Sequence, residues 1–186
     1  QDPFVKSLTP KLIASVSRAV NLTESTLRFG KVQEPEVQIR QTALFQIVED
    51  VVVNERIWVT GKKTIIANSV PDNMNISVDP DQLHRALSNL VRNARQAIDL
   101  QGIGGTVNVT ASEDADKWLI YVIDTGLGLP KDARAHLFEP FTGSVRKGGI
   151  GLGLSISQEL IRGHGGEINL VWSNQNGTKF QIKLPK

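Results

Sequence analysis

Residues 79–98 read DPDQLHRALSNLVRNARQAI, and this stretch decides how the rest of the chain is read. Asp79-Pro80 opens a helix, with Leu83, Leu87, Leu90 and Ala94 at helical spacing on the side that faces a core. Asn89 and Asn93 stand four residues apart, so both side chains share one face. Asn is a poor helix-interior residue, and two on one face lower helix propensity without adding apolar packing. Either they are solvated amides, or their carbonyl oxygens are hard ligands for Mg²⁺, with water and phosphate oxygens in the remaining positions.

Strand patterns lie on both sides of this helix. Gly102 to Gly105 separates it from paired strands near 106–113 and 117–124. A helix at about 151–163 follows, then strands at 166–173 and 178–184 joined by the turn Asn174-Gln175-Asn176-Gly177. Upstream, Lys63–Val70 and Met74–Val78 read as two strands around the turn Pro71-Asp72-Asn73. Residues 42–57 carry Leu44, Ile47, Val48, Val51 and Val52 at helical spacing, and Val37–Gln41 predicts a short edge strand. The order predicts an α+β fold, an antiparallel or mixed sheet covered on one face by helices. Thr9-Pro10, the face Leu12, Val16, Ala19, Thr23 and Leu27, and the stop at Gly30 predict one long N-terminal helix before it. A boundary near 30–36 divides the chain into 1–35 and 36–186.

Composition narrows the function classes. The 186 residues include 21 Lys+Arg, 19 Asp+Glu, three His and no Cys. Without Cys there are no disulfides, no thiolate zinc sites and no thiol catalysis. A net charge of +2 is too balanced to predict nucleic-acid binding. No apolar run approaches the roughly 18 residues of a membrane span, and no signal-peptide pattern is present, so no direct membrane contact is expected.

Three further elements carry chemistry. Asp124-Thr125-Gly126-Leu127-Gly128 follows the apolar strand Trp118–Ile123. It is either an Asp-initiated turn or a carboxylate placed to accept an exocyclic amine such as adenine's, with glycines that let a planar ring approach. Leu137-Phe138-Glu139-Pro140-Phe141 is either a minor core cluster or the base of a mobile loop over 141–149. Gly149-Ile150-Gly151-Leu152-Gly153-Leu154 runs into a helix, with Arg146 and Lys147 adding charge before it. It is a flexible linker or an anion site at a helix N-terminus. It is not a Walker loop, since no Gly-Lys-Ser/Thr follows the spacer.

Taken in order, these elements resemble the GHKL ATPases, and within them the catalytic ATP-binding domain of two-component sensor histidine kinases. Asn89–Ala94 is similar to the N box, Asp124–Gly128 to the G1 box, Leu137–Phe141 to the F box and Gly149–Leu154 to the G2 box. Gly177-Thr178-Lys179-Phe180 is similar to the last adenine-side motif, and the resemblance covers about 36–186. It implies the Bergerat fold, a two-layer α/β sandwich. It implies that Asn93 coordinates the Mg²⁺ bridging the phosphates of ATP, supported by Asn89. Asp124 would bind the adenine amine, with Gly126 and Gly128 giving the ring room and Thr178 nearby. Phe138 and Phe141 would hold an ATP lid, and Gly149, Gly151, Gly153 and Leu154 would wrap the phosphates.

The implied activity is transfer of the γ-phosphate to a protein histidine, for relay to an Asp of a response regulator. The setting would be a cytoplasmic homodimer, its dimerisation hairpin contributing the helix at 10–29. His84, His136 and His164 fit no acceptor motif, so the acceptor is expected outside this sequence. Gln96 and Ala97 replace the Lys and aromatic residue of many members, which leaves Arg92, Arg95, Arg146 and Lys147 as candidate phosphate cations. Arg85, one turn before Asn89, cannot act as the base that hydrolysis needs. The alternative is a non-catalytic phosphotransfer or scaffold protein with a relic ATP fold, which retention of Asn93, Asp124 and the glycines disfavours.

Overall fold

The computed structural model describes residues 36–59, 63–141 and 151–186. The helix expected at 10–29, the boundary near 30–36, and Arg146, Lys147 and Gly149 lie outside the described residues. The elements run β1 (Arg40–Ala43), α1 (Leu44–Arg56), β2 (Thr64–Ser69), β3 (Asn75–Val78), α2 (Pro80–Gln101), β4 (Gly105–Glu113) and β5 (Lys117–Asp124). They continue through α3 (Lys131–Ala135), α4 (Gly153–Gly163), β6 (Glu167–Asn174) and β7 (Gly177–Pro185). Five strands form one sheet in the order β2-β4-β5-β7-β6. β2 pairs with β4 in parallel, and the remaining neighbours are antiparallel. The sheet is therefore mixed, as expected for an α+β sandwich.

Alternation builds the buried face. Ile66, Val107, Val109, Ile120, Val122, Phe180 and Ile182 are buried beneath Val48 and Val52 of α1, Leu83, Leu87, Leu90 and Ile98 of α2, and Leu160 and Ile161 of α4. Each of these helices has one apolar stripe, which can be covered only by the sheet or by another helix.

One expected pairing is corrected. β2 and β3 do not form a hairpin around Pro71-Asp72-Asn73; β3 pairs antiparallel with β1, with Arg40 opposite Val78, as a separate two-stranded ribbon. Side chains take the place such a partner would hold along β2. Arg56 donates to the Ile66 carbonyl oxygen from Nε (3.0 Å) and Nη2 (2.7 Å). Asn68 Nδ2 reaches the Phe45 carbonyl and Glu49 Oε2, at 3.2 and 3.1 Å. The edge strand expected at Val37–Gln41 runs over Arg40–Ala43, and the helix expected to end near Ile98 runs to Gln101. Gly102, in the left-handed region at φ 81°, ends it, its N–H bonding the Ile98 carbonyl oxygen. Helix α3 was not expected; Pro130 before Lys131 was its available signal.

The start of α2 is fixed from several directions. Asp79 Oδ1 caps the N–H groups of Asp81 and Gln82, both at 3.1 Å, while Oδ2 accepts from Gln38 N–H at 3.0 Å. Burial pushes the Asp79 carboxyl up, but these three backbone donors outweigh it and hold the group below the usual carboxylate value. The Asp79 N–H donates to His164 Nε2 at 3.0 Å, and His164 Nδ1 lies 2.8 Å from the Leu160 carbonyl. A backbone N–H can only donate, so Nε2 carries the lone pair and Nδ1 the proton. His164 thus ties the end of α4 to the start of α2.

Candidate functional site

The C-terminal half of α2, the loop after β5 and the start of α4 come together over one end of the sheet. Asp124 is the last residue of β5 and is 4% exposed. It lies opposite Thr178 of β7 and Val107 of β4, and Oδ1 accepts from Gly126 N–H at 2.8 Å. The apolar run Trp118–Ile123 fixes the strand, and the turn that follows leaves the carboxylate at its end. Gly126 lies directly against α2: a Cβ there would come within 2.6 Å of the Ala97 Cβ. Gly128 has φ 70°, and a Cβ there would meet the Asn174 carbonyl oxygen at 2.1 Å. At Gly177, with φ 138°, it would meet the Asp124 carbonyl oxygen at 1.9 Å. Both positions require glycine for conformation and for space.

Hydroxyls complete this half. Thr178 and Ser173, both buried, pair at 3.1 Å, and Ser173 Oγ accepts from Leu129 N–H at 2.7 Å. Thr125 Oγ1 accepts from Thr106 N–H at 2.9 Å. The loop after β5 is thereby stitched to three strands. Sequence reading singled out Asp124, Gly126, Gly128 and Thr178, and noted Ala97 as standing where many members have an aromatic residue; it assigned no role to the hydroxyls of Thr125 and Ser173.

The other half is assembled from side chains. Asn89 Nδ2 donates to the Gly153 carbonyl and to Ser157 Oγ, each at 3.2 Å, which joins α2 to the first turn of α4. Its Oδ1 accepts from Arg92 Nη2. Asn93 follows on the same helix, half-buried, one turn beyond Asn89. The structure thus places Asn89 against α4, a role the sequence reading did not assign to it. Gly151, with φ 75°, and Leu152 lead into Gly153, the first residue of α4, and Leu154 packs partly buried on the core.

The Phe pair separates. Phe138 packs against the core, whereas Phe141 is 60% exposed and, unusually for a non-glycine residue, has φ 66°. Its N–H donates to the Gly151 carbonyl at 3.1 Å, so residues 141 and 151 meet. Of the candidate cations, Arg95 is committed elsewhere: Nε bonds Glu55 Oε2 at 2.8 Å and Nη1 bonds Asp99 Oδ2 at 2.7 Å. No group of three or more His, Asp or Glu residues that could hold a metal ion occurs among the described residues. No described helix is long and apolar enough to cross a membrane.

Comparison with known proteins gives the same assignment. The model of the histidine kinase-, DNA gyrase B-, and HSP90-like ATPase family matches residues 78–186. The sensor protein VanS of Enterococcus faecium is 37% identical over 130 residues, 67% of this chain and 32% of its own length. The C4-dicarboxylate transport sensor protein DctB of Rhizobium meliloti is 34% identical over 176 residues, 94% of this chain and 28% of its own length. The structure of full-length ShkA in complex with AMPPNP matches with a TM-score of 0.76 at 26% identity, over 97% of this chain and 38% of that one. The chain thus spans about a third or less of the curated relatives it matches. It belongs to the histidine kinase-, DNA gyrase B-, and HSP90-like ATPase family, on the branch of the sensor histidine kinases.

Proposed function

We propose that this chain binds MgATP between α2, the β5 loop and the start of α4, and donates the γ-phosphate to a histidine of a dimerisation hairpin. Asp124 carries the proposal. A carboxylate 4% exposed at a strand end, beside glycines that a side chain would jam, is suited to the exocyclic amine of a flat base. The Ala97–Gly126 contact closes the floor beneath it. Asn93 would hold Mg²⁺, which when bound neutralises phosphate charge. The chain's own contribution is then positioning and electrostatics, which is most of what phosphoryl transfer asks of a protein.

Transfer fits this site better than hydrolysis. The helix face leading to Asn93 carries Arg85 and Asn89, and neither takes a proton from water at neutral pH. The chain's three histidines make poor acceptors. His164 is 8% exposed with both ring nitrogens engaged. His136 sits 2.9 Å from the Glu139 carboxylate, which repels phosphate, and His84 lies within α2 beside Ser88. The acceptor is therefore a histidine outside these residues, and the phosphate passes on to a response-regulator Asp. In this reading the domain works on the cytoplasmic side, where ATP is supplied, and in a homodimer formed through the hairpin.

Two measurements test the reading. Titration with a non-hydrolysable ATP analogue and Mg²⁺ should give saturable binding, abolished by Asp124→Ala. γ-Labelled ATP should then pass label to an acceptor hairpin of the sensor-kinase relatives supplied in trans. Absence of binding, or steady phosphate release without labelled hairpin, would overturn it.

A further inference from the structure

We infer that Arg92 is the residue that binds the ATP polyphosphate from the helix side, and that Asn89 is the positioning residue that aims it. The inference rests on the MgATP reading above and assigns the cation that the departures at Gln96 and Ala97 leave without an owner.

Arg95 is spent on Glu55 and Asp99, and Arg56 on the Ile66 carbonyl with Glu49 nearby. Arg134 is spent on the Leu129 carbonyl, which both Nε and Nη2 reach. Lys183 and Lys186 pair with Glu167 and Glu113 on the far strands. Arg92 is different. No carboxylate among the described residues pairs with it, and its one bond runs from Nη2 to Asn89 Oδ1. A guanidinium has five N–H donors, and among the described residues Asn89 occupies one of them. The residue is half-buried and directly precedes Asn93. Partly desolvating a cation that no acid neutralises is costly unless an anion completes the site.

The geometry also explains the Asn at 89. Its amide makes two opposed connections, Nδ2 to Gly153 and Ser157 at the start of α4, and Oδ1 to Arg92. Arg92 is thereby held at a fixed place relative to the segment that enters α4. Planar, always charged and forked, it suits bidentate contact with phosphate oxygens better than a lysine. Asn89 touches no phosphate in this arrangement; it acts through Arg92, which leaves Asn93 as the amide for Mg²⁺.

Affinities for ATP, ADP and adenosine, measured by calorimetry on the whole chain, test this. Arg92→Gln should weaken ATP about tenfold or more, in line with a hydrogen bond to a charged group, and leave adenosine within about twofold. Arg92→Lys, keeping charge without the fork, should fall between. Asn89→Ala should weaken ATP as Arg92→Gln does, and the double variant should be no worse than either alone, because coupled residues are not additive. Thermal unfolding of each variant checks folding. Arg92→Gln with unchanged ATP affinity overturns the inference while leaving the MgATP reading intact. Equal losses for ATP and adenosine also overturn it, by making the role structural. An unmodified chain that binds no ATP overturns both.

Discussion

The two halves of the candidate site are built by different means. Around Asp124 the backbone sets the shape: three glycines stand where a Cβ would come within 2.6 Å of a neighbour, and the hydroxyls of Thr125 and Ser173 accept from backbone N–H groups across the loop and strands. Around Asn89 and Gly153 the parts are side chains, and a Cβ on Gly153 would find nothing among the described residues nearer than 3.8 Å. On the MgATP reading these would be a rigid base seat beside an adjustable phosphate seat, which would suit a domain that holds a nucleotide and presents its end to another protein. Adenine keeps one shape throughout the reaction, whereas the polyphosphate changes length and charge.

The largest test of the contrast is Gly177→Ala. At φ 138° with Cβ 1.9 Å from the Asp124 carbonyl oxygen, β7 and β5 must separate where the carboxylate is presented. The expected loss is about 3 kcal/mol or more in urea unfolding, from backbone strain plus overpacking. Gly128→Ala, 2.1 Å from the Asn174 carbonyl oxygen, should behave similarly. Near-wild-type stability in both would show that the adenine half is not the rigid one. Next in size is Asp124→Asn, which retains an oxygen for Gly126 N–H but replaces an acceptor-only carboxylate. Affinity for ATP and adenosine should fall together by about tenfold to a hundredfold. A loss confined to ATP would move Asp124 out of the base seat.

How much of this was legible in the chain depends on the range of the interaction. Local signals sufficed for the α2 cap, the strand ending at Asp124 and the glycines beside it, since turn chemistry and periodicity act over a few residues. The strand at β3 is legible but its partner is not, because β1 lies across α1 and β2 and nothing in an alternating pattern names the strand it pairs with. His164 fits no motif in sequence, yet its Nε2 accepts from the Asp79 N–H across 85 positions. Arg95 and Arg92 look alike in sequence, and only the fold brings Glu55 to one and Asn89 to the other. Short motifs locate a binding site; the division of labour between neighbouring cations is decided by tertiary contacts.

Helix α4 shows the same contrast along its own length, clamped at its C-terminal end by His164 on Asp79 and held at its start through Asn89. Asp79→Ala should cost about 1–2 kcal/mol as a lost cap. It also removes a pH dependence. A carboxyl whose folded value lies below the unfolded one contributes stability above the unfolded value and loses it as the pH falls through the folded value. Wild-type stability should therefore decline below about pH 4, and the variant should decline less over the same window. Denaturant midpoints from pH 6 to pH 3 measure the difference; parallel curves would remove Asp79 from the acid response.

The smallest effect is the sharpest test of slack at the phosphate end. Gly153 begins α4 outside the left-handed region, and its nearest neighbours, the Cγ and Oδ1 of Asn89 at 3.8 Å, are at ordinary contact distance. Nothing among the described residues demands glycine there. Alanine removes unfolded-state freedom and favours helix, so Gly153→Ala should leave stability unchanged or raise it by up to about 1 kcal/mol. If the glycine is kept for motion, the benefit should come with a weaker response to nucleotide: similar adenosine affinity, lower ATP affinity. The added methyl would reduce the freedom with which the chain enters α4 around phosphates. A variant that gains stability and binds ATP unchanged would mean that Gly153 supplies close approach alone, with the adjustment residing in the side chains of Asn89 and Arg92.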